Sequence, residues 1–223
     1  MTFDISIKPE TNMLICGSTG SGKTTFVKNL LTIKDKIYSK PPIKTFLFYR
    51  MEQPIYHEME MSGLIDQLIN TNENFPTADA IKVMVEPFKE DGCILIFDDI
   101  MSKLNDDFIE LFCNLTHHQN LHVILLVQNV FCENKVFRTL SLNSHYMVLT
   151  KNERDKNQIS NLGRQISPNN VAYVTQSFLK ATEHPYGYLF IDYHQQTPNI
   201  LRLRTNIFPH EFPPSVFIEN TSK

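Results

Sequence analysis

The sequence carries no excess of either charge, no paired cysteine motif, no long apolar run and little glycine. Each shortage removes a class of protein. With Lys+Arg at 21 and Asp+Glu at 24, the formal net charge is −3. A static, high-affinity DNA-binding surface needs a strong basic excess and is excluded, although a local basic channel is not. The four cysteines, Cys16, Cys93, Cys113 and Cys132, show no C-x-x-C spacing. Cys16 and Cys93 fall in expected buried strands, so these residues read as reduced core side chains, not as disulfides or metal ligands. No apolar stretch approaches the ~18 residues of a membrane span, and the N-terminus has no signal-peptide pattern. The expectation is a soluble protein of a reducing, intracellular compartment with no membrane partner. Repeats and low-complexity segments are absent as well, and 223 residues suffice to bury one good core. We expect a single domain over 1–210 and a tail, 211–223, that the nearby Pro209, Pro213 and Pro214 keep extended or frayed.

Glycine is scarce, at seven residues, yet three of the seven stand in "GSTGSGKTT", residues 17–25. Gly17 to Thr24 fit G-x-x-x-x-G-K-[ST]. Glycines let the loop turn its amides inward, so that Gly17, Ser18, Thr19, Gly20, Ser21 and Gly22 can cradle a β-phosphate. Lys23 would reach the β- and γ-oxygens, and the Thr24 hydroxyl would take Mg²⁺. The apolar run "NMLICG" precedes the loop and reads as a buried strand. "KTTFVKNLLTI" follows it, with Phe26, Val27, Leu30, Leu31 and Ile33 at helical spacing. Strand, loop and helix form the context the motif requires, because the helix N-terminus adds its own amides to an anion site.

A phosphate loop needs a carboxylate on the metal side. "CILIFDDI" (93–100) supplies one, with the apolar run Ile94 to Phe97 followed by Asp98 and Asp99. The run suits a central parallel strand buried on both faces. Asp98 would hold Mg²⁺ and Asp99 would polarise the attacking water. "VILLVQN" (123–129) gives a third element, a strand ending in Gln128. If that strand lies between the other two, Gln128 faces the γ-phosphate and can sense whether its bond is intact; otherwise it is an ordinary strand cap.

Strands are expected at 12–17, 44–50, 93–98, 121–128 and 144–150, and helices at 23–34, 62–70, 77–89, 106–117 and 153–164. The 62–70 pattern falls in a stretch, 51–76, of mixed character. In 106–117, Phe108, Leu111, Phe112 and Leu115 form one stripe. The alternation predicts a mostly parallel sheet covered on both faces, an α/β fold of three layers, and the three motifs in this order favour a P-loop NTPase with an added central strand (ASCE-type). "YGYLFIDYHQQTPNILRLRTNIFP" (186–209) reads as a β-hairpin at the sheet edge, turning at Gln195 to Asn199.

Several nucleotide machines share the first two motifs. A switch GTPase would carry glycine three residues after the metal Asp, where this chain has Met101. It would also carry [NT]-K-x-D where "TKNE" (150–153) ends in Glu153. A nucleotide kinase needs an arginine-rich lid, and Arg50, Arg138, Arg154, Arg164, Arg202 and Arg204 form no tight cluster. It stays as an alternative, as does an inactive nucleotide-binding assembly protein, against which the three intact motifs weigh.

The order "GSTGSGKTT … ILIFDDI … VILLVQNVF" resembles the FtsK–HerA class of DNA-pumping ATPases. "RTLSLNSHYMVLTKNERDKNQI" (138–159) and "HPYGYLFIDYHQQTPNILRLRTNIFP" (184–209) resemble the genome-packaging ATPases of Polinton (Maverick) elements and adenovirus-like viruses, a likeness running from about residue 10 to about 210. The resemblance implies a viral or transposon-encoded motor. Such a motor would assemble as a homo-oligomeric ring of five or six copies at a capsid portal vertex, in the host nucleus or cytoplasm, and pump double-stranded DNA using ATP and Mg²⁺. It also implies that Gly17 to Thr25 hold the triphosphate, that Thr24 and Asp98 fix Mg²⁺, and that Asp99 stands where many relatives have glutamate. An arginine from a neighbouring copy is often placed just ahead of the sensor strand. This chain has "THHQN" (116–120) there, so Arg138 is the first candidate, followed by Arg154 and Arg164. His117 and His118 read as solvated helix-end residues. Lys135 in "FCENKVFRT" (131–139) and the basic "TIKDKIYSK" (32–40) are candidates for transient backbone contact with DNA. The chain is too short for a fused nuclease, and no DNA cleavage is expected.

Overall fold

The apolar runs of this chain are too short to bury themselves except side by side. The computed structural model, which describes residues 4–129, 135–151, 156–211 and 214–219, lays them into one sheet. Its parallel strands are β1 (Asn12–Cys16), β2 (Lys44–Tyr49), β3 (Gln67–Asn70), β4 (Cys93–Asp98), β5 (Leu121–Val127) and β6 (Tyr146–Thr150). Three antiparallel strands extend the sheet: β7 (Tyr188–Asp192), β8 (Leu203–Thr205) and β9 (Ser215–Phe217). The strand order is β3-β2-β4-β5-β1-β6-β7-β8-β9. β5 therefore lies between the strand that feeds the glycine loop and the strand that ends in Asp98, in register with both (Leu14↔Leu125, Asp98↔Leu126).

Side chains alternate across the sheet and build a core on each face. On one face, Leu14, Leu95, Phe97, Val123 and Leu125 meet α4 (Ala78–Val85), α5 (Asp106–Glu110), α7 (Lys135–Leu142), α8 (Lys156–Ile166) and α9 (Val171–Ala181). A π-helical turn, Leu111–Leu115, joins α5 to α6 (Thr116–His118). The stripe Phe108, Leu111, Phe112 and Leu115 is buried here as its spacing predicts. On the other face, Ile15, Ile94, Ile96 and Ile124 meet α1 (Lys23–Thr32), α2 (Lys34–Ile37) and α3 (Pro54–Met61). The result is the three-layer α/β fold with an edge hairpin that the sequence predicts.

Two local readings change. The helix expected at 62–70 is not formed. α3 begins earlier, on Pro54, whose missing N–H costs nothing in a first turn. It stops at Gly63, whose φ of +73° turns the chain and lets Leu64 N donate to Met59 O at 2.9 Å. Asp66 then docks the next segment as a strand, since its carboxylate accepts from Thr45 N (2.8 Å) and Lys44 Nζ (2.7 Å). Secondly, Ser215–Phe217, within the stretch expected to be extended or frayed, pairs antiparallel with β8 as the ninth strand.

Candidate nucleotide site

Every parallel strand that carries a predicted site residue ends on the same edge of the sheet. β1 runs into Gly17, β4 into Asp98 and Asp99, and β5 into Gln128. Because β1 is flanked by β5 on one side and β6 on the other, the crevice opens where the connections diverge, the usual ligand position in such sheets. A cleft of 480 Å³ lies there, lined among others by Thr19, Gly20, Gly22, Lys23, Thr24, Thr25, Asp98, Asp99 and Gln128.

The loop is braced by its neighbours. Gly17 N donates to Val127 O at 3.1 Å, so the β1–β5 ladder continues into the first loop residue. From the other side, the Thr150 hydroxyl at the end of β6 lies 3.1 Å from the Cys16 carbonyl oxygen and 2.6 Å from the Ser21 hydroxyl. A Cβ on Gly17 would fall 1.7 Å from the Thr150 oxygen, so glycine is required here by close approach. Gly22 has φ +95°, the left-handed region, and hands the chain into α1.

The Lys23 ammonium donates to the Gly17 and Ser18 carbonyl oxygens, at 2.8 and 3.1 Å. Burial lowers its pKa, and the neighbouring Asp98 pulls the other way. A half-buried cation whose hydrogen bonds, among the described residues, go to neutral carbonyls is well disposed to exchange them for an anion. Asp98 is buried, at 7% exposure. One of its oxygens accepts from the Tyr56 hydroxyl (2.7 Å) and from the Thr24 hydroxyl (3.3 Å), and Gln53 Nε2 donates onward to the Tyr56 oxygen at 2.8 Å. Burial raises the Asp98 pKa, opposed by Tyr56, Lys23 and Thr24 in that order. Asp99 sits at φ +58°, a strained conformation that aspartate tolerates better than most residues, and it lines the same cleft. The arrangement fits Mg²⁺. The Thr24 hydroxyl and the desolvated Asp98 carboxylate lie side by side, 3.3 Å apart, both are hard oxygen donors, and Lys23 is the one Lys or Arg among the described residues that line the cleft.

Of the remaining predicted residues, Gln128 is exposed at the cleft directly after β5. Arg138 is exposed on α7, outside the residues that line the cleft, as is Lys135. Arg164 is exposed on α8 and donates to Asn161 Oδ1 at 2.6 Å. Arg154, residues 131–134 of the "FCENKVFRT" segment and the His117 side chain lie outside the described residues, and the rest of that segment belongs to α7. Sequence reasoning missed Tyr56, Gln53, Thr150 and Tyr186, which also line or brace the site. None belongs to a local motif. They reach the cleft through tertiary packing, and only the polar residue closing a run such as "YMVLT" (146–150) hinted at one of them.

Comparison with known proteins agrees with this geometry. Residues 3–167 match the model of the poxvirus A32 protein family, and the chain belongs to that family. No curated protein matches it. Among solved structures, the flagellar accessory protein FlaH from Methanocaldococcus jannaschii superposes with a TM-score of 0.52 at 12% identity, over 96% of this chain and 90% of that one. The cytoplasmic domain of the type VII secretion ATPase EccC from Thermomonospora curvata gives a TM-score of 0.55 at 16% identity. That match covers 82% of this chain but only 24% of EccC. At such identities the likeness is one of fold, and the fold is that of the P-loop NTPases. Among the described residues, no helix is long and apolar enough to cross a membrane.

Proposed function

We propose that this chain is a Mg-ATP-dependent duplex-DNA translocase that packages a viral or transposon genome into a capsid. The observation that carries the reading is the convergence, on one sheet edge, of Lys23 and Thr24 at the start of α1 with Asp98, Asp99 and Gln128 at the ends of β4 and β5. Membership of the A32 family, packaging ATPases of the FtsK–HerA type, supports it. So does the resemblance of 138–159 and 184–209 to Polinton and adenovirus-like packaging ATPases.

In this reading Gly17 to Thr25 hold the triphosphate, and Lys23 leaves its carbonyl partners to neutralise it. Thr24 and Asp98 hold Mg²⁺, which when bound neutralises phosphate charge. Asp99 orients the attacking water, and Gln128 reports the state of the γ-phosphate. Phosphoryl transfer asks for little beyond such positioning and charge stabilisation. Lys23 is the single Lys or Arg lining the cleft among the described residues. A second cation is therefore needed, and Arg138 of a neighbouring copy in a ring of five or six would supply it. The ATPase domain would span 1–210 and the tail 211–223. The work would be done in the host nucleus or cytoplasm at the portal vertex of the assembling virion.

A third DNA strand annealed to linear duplex reports translocation when it is displaced. ATP-dependent displacement by the wild-type chain, abolished in Lys23→Ala, is the expected result. Displacement that is absent while ATP is hydrolysed at a rate indifferent to duplex DNA would contradict translocation.

A further inference from the structure

We propose that Tyr186 is the base-binding residue of the site, its ring stacking on the purine of the bound nucleoside triphosphate. The inference rests on the nucleotide reading above and deepens it. The cleft has a direction. Asp98 and Asp99 end β4, two strands from β1 on one side, and hydrolysis acts on the terminal phosphate there. The nucleoside end of a triphosphate seated on the loop must leave on the opposite side, toward β6 and β7. Tyr186 stands on that side, two residues before β7 begins, and lines the same cleft.

Its setting is that of a mounted platform. The residue is 68% exposed, although it is large and aromatic. Its ring lies over the loop, since a Cβ on Gly22 would come 3.0 Å from Tyr186 Cδ1. Its φ is +63°, a conformation a tyrosine adopts only when its surroundings impose it. Those surroundings are rigid. Gly187 N donates to His184 O at 3.1 Å, and a Cβ at Gly187 would meet Ala181 O at 2.5 Å, so the turn is closed tightly on the end of α9. The next residue, Tyr188, is buried edge-on against Phe26 of α1, with centroids 4.8 Å apart. The exposed ring is thus tied to the helix that the phosphate loop opens. A tyrosine face stacks on any base and best on a large one, which favours purines without choosing between them.

Calorimetric titration with Mg-ATP and, separately, with Mg-tripolyphosphate separates base from phosphate recognition. Tyr186→Asn keeps a side chain that tolerates positive φ but removes the ring, and Tyr186→Phe keeps the ring. Tyr186→Asn should weaken Mg-ATP binding about 10- to 100-fold, with Mg-tripolyphosphate binding within about twofold of wild type and Tyr186→Phe within about threefold for both ligands. Unchanged Mg-ATP affinity in Tyr186→Asn, or an equal loss for both ligands, would overturn the assignment. Wild-type protein that binds neither ligand would overturn the nucleotide reading and this inference with it. Wild-type protein that binds both ligands equally would overturn this inference alone.

Discussion

Asp98 is the residue on which the candidate site turns, and its carboxylate is held by the Tyr56 and Thr24 hydroxyls. Tyr56 is itself fully buried and donates to Asp98 at 2.7 Å, so its hydroxyl cannot be replaced by solvent. Tyr56→Phe keeps the ring and removes the donor. It should cost about 1–3 kcal/mol of folding stability, read by urea denaturation without nucleotide; an unchanged midpoint would show that the bond contributes nothing. His122 offers a second test at this scale. It belongs to β5, with Nδ1 3.1 Å from the Thr11 oxygen and Tyr38 edge-on, and its buried Nε2 has no hydrogen-bond partner among the described residues. Thr11 donates to Lys8 O at 2.7 Å, so Nδ1 must carry the proton that reaches Thr11. Burial, aided by His145, pushes the His122 pKa from 6.5 down to about 3. The unfolded chain therefore binds one more proton across that window, and stability falls as pH drops below 6.5. The expected contribution is about 1.4 kcal/mol per pH unit, and His122→Asn, which can still donate to Thr11, should flatten the slope of urea stability between pH 6.5 and 5. That Lys23, Thr24 and Asp98 share one cleft was legible in the sequence because a glycine loop and a strand-end carboxylate are set by spacing along the chain. Tyr56 was not, because 42 residues separate it from Asp98 and only the packing of α3 on the sheet joins them.

At the scale of elements, the phosphate loop owes its shape to its neighbours as much as to its own glycines. Thr150, from the end of β6, occupies the space a side chain at position 17 would need. Gly17→Ala should destabilise the protein by about 1–3 kcal/mol and weaken nucleotide binding. Thr150→Ala leaves only the Cβ, 3.1 Å from that position, and should return part of both losses in the double variant. Thermal denaturation with and without Mg-ATP reads the coupling; strictly additive losses would show that the two residues do not compete for space. The parallel strands were legible because continuous apolar runs bounded by polar residues have few other homes. The 62–70 stretch was not, because "LIDQLIN" (64–70) offers apolar residues at a spacing that suits a helix as well as a strand. Gly63 and the Asp66 contacts decide between them, and those contacts need β2 already in place.

At the scale of the whole molecule, Lys23 is the single Lys or Arg among the described residues that line the cleft, so the triphosphate site proposed above lacks a second cation of its own there. In the ring we propose, a neighbouring copy would supply one in trans. Arg138, exposed on α7 and away from its own cleft, is available to a neighbour. If it is the finger, Arg138→Ala should lower kcat by roughly 10³ or more with nucleotide affinity little changed, and mixing it with wild-type protein should depress the rate per wild-type subunit. A loss below tenfold would pass the role to another residue. The measurement that tests the central claim most directly is steady-state ATP hydrolysis across protein concentration, with and without linear duplex DNA and with Lys23→Ala as the blank. The account predicts a rate that rises more than linearly with protein and further with DNA, and that vanishes in the blank. A rate linear in protein and indifferent to DNA would contradict a ring motor, and a rate unchanged by Lys23→Ala would contradict the site itself.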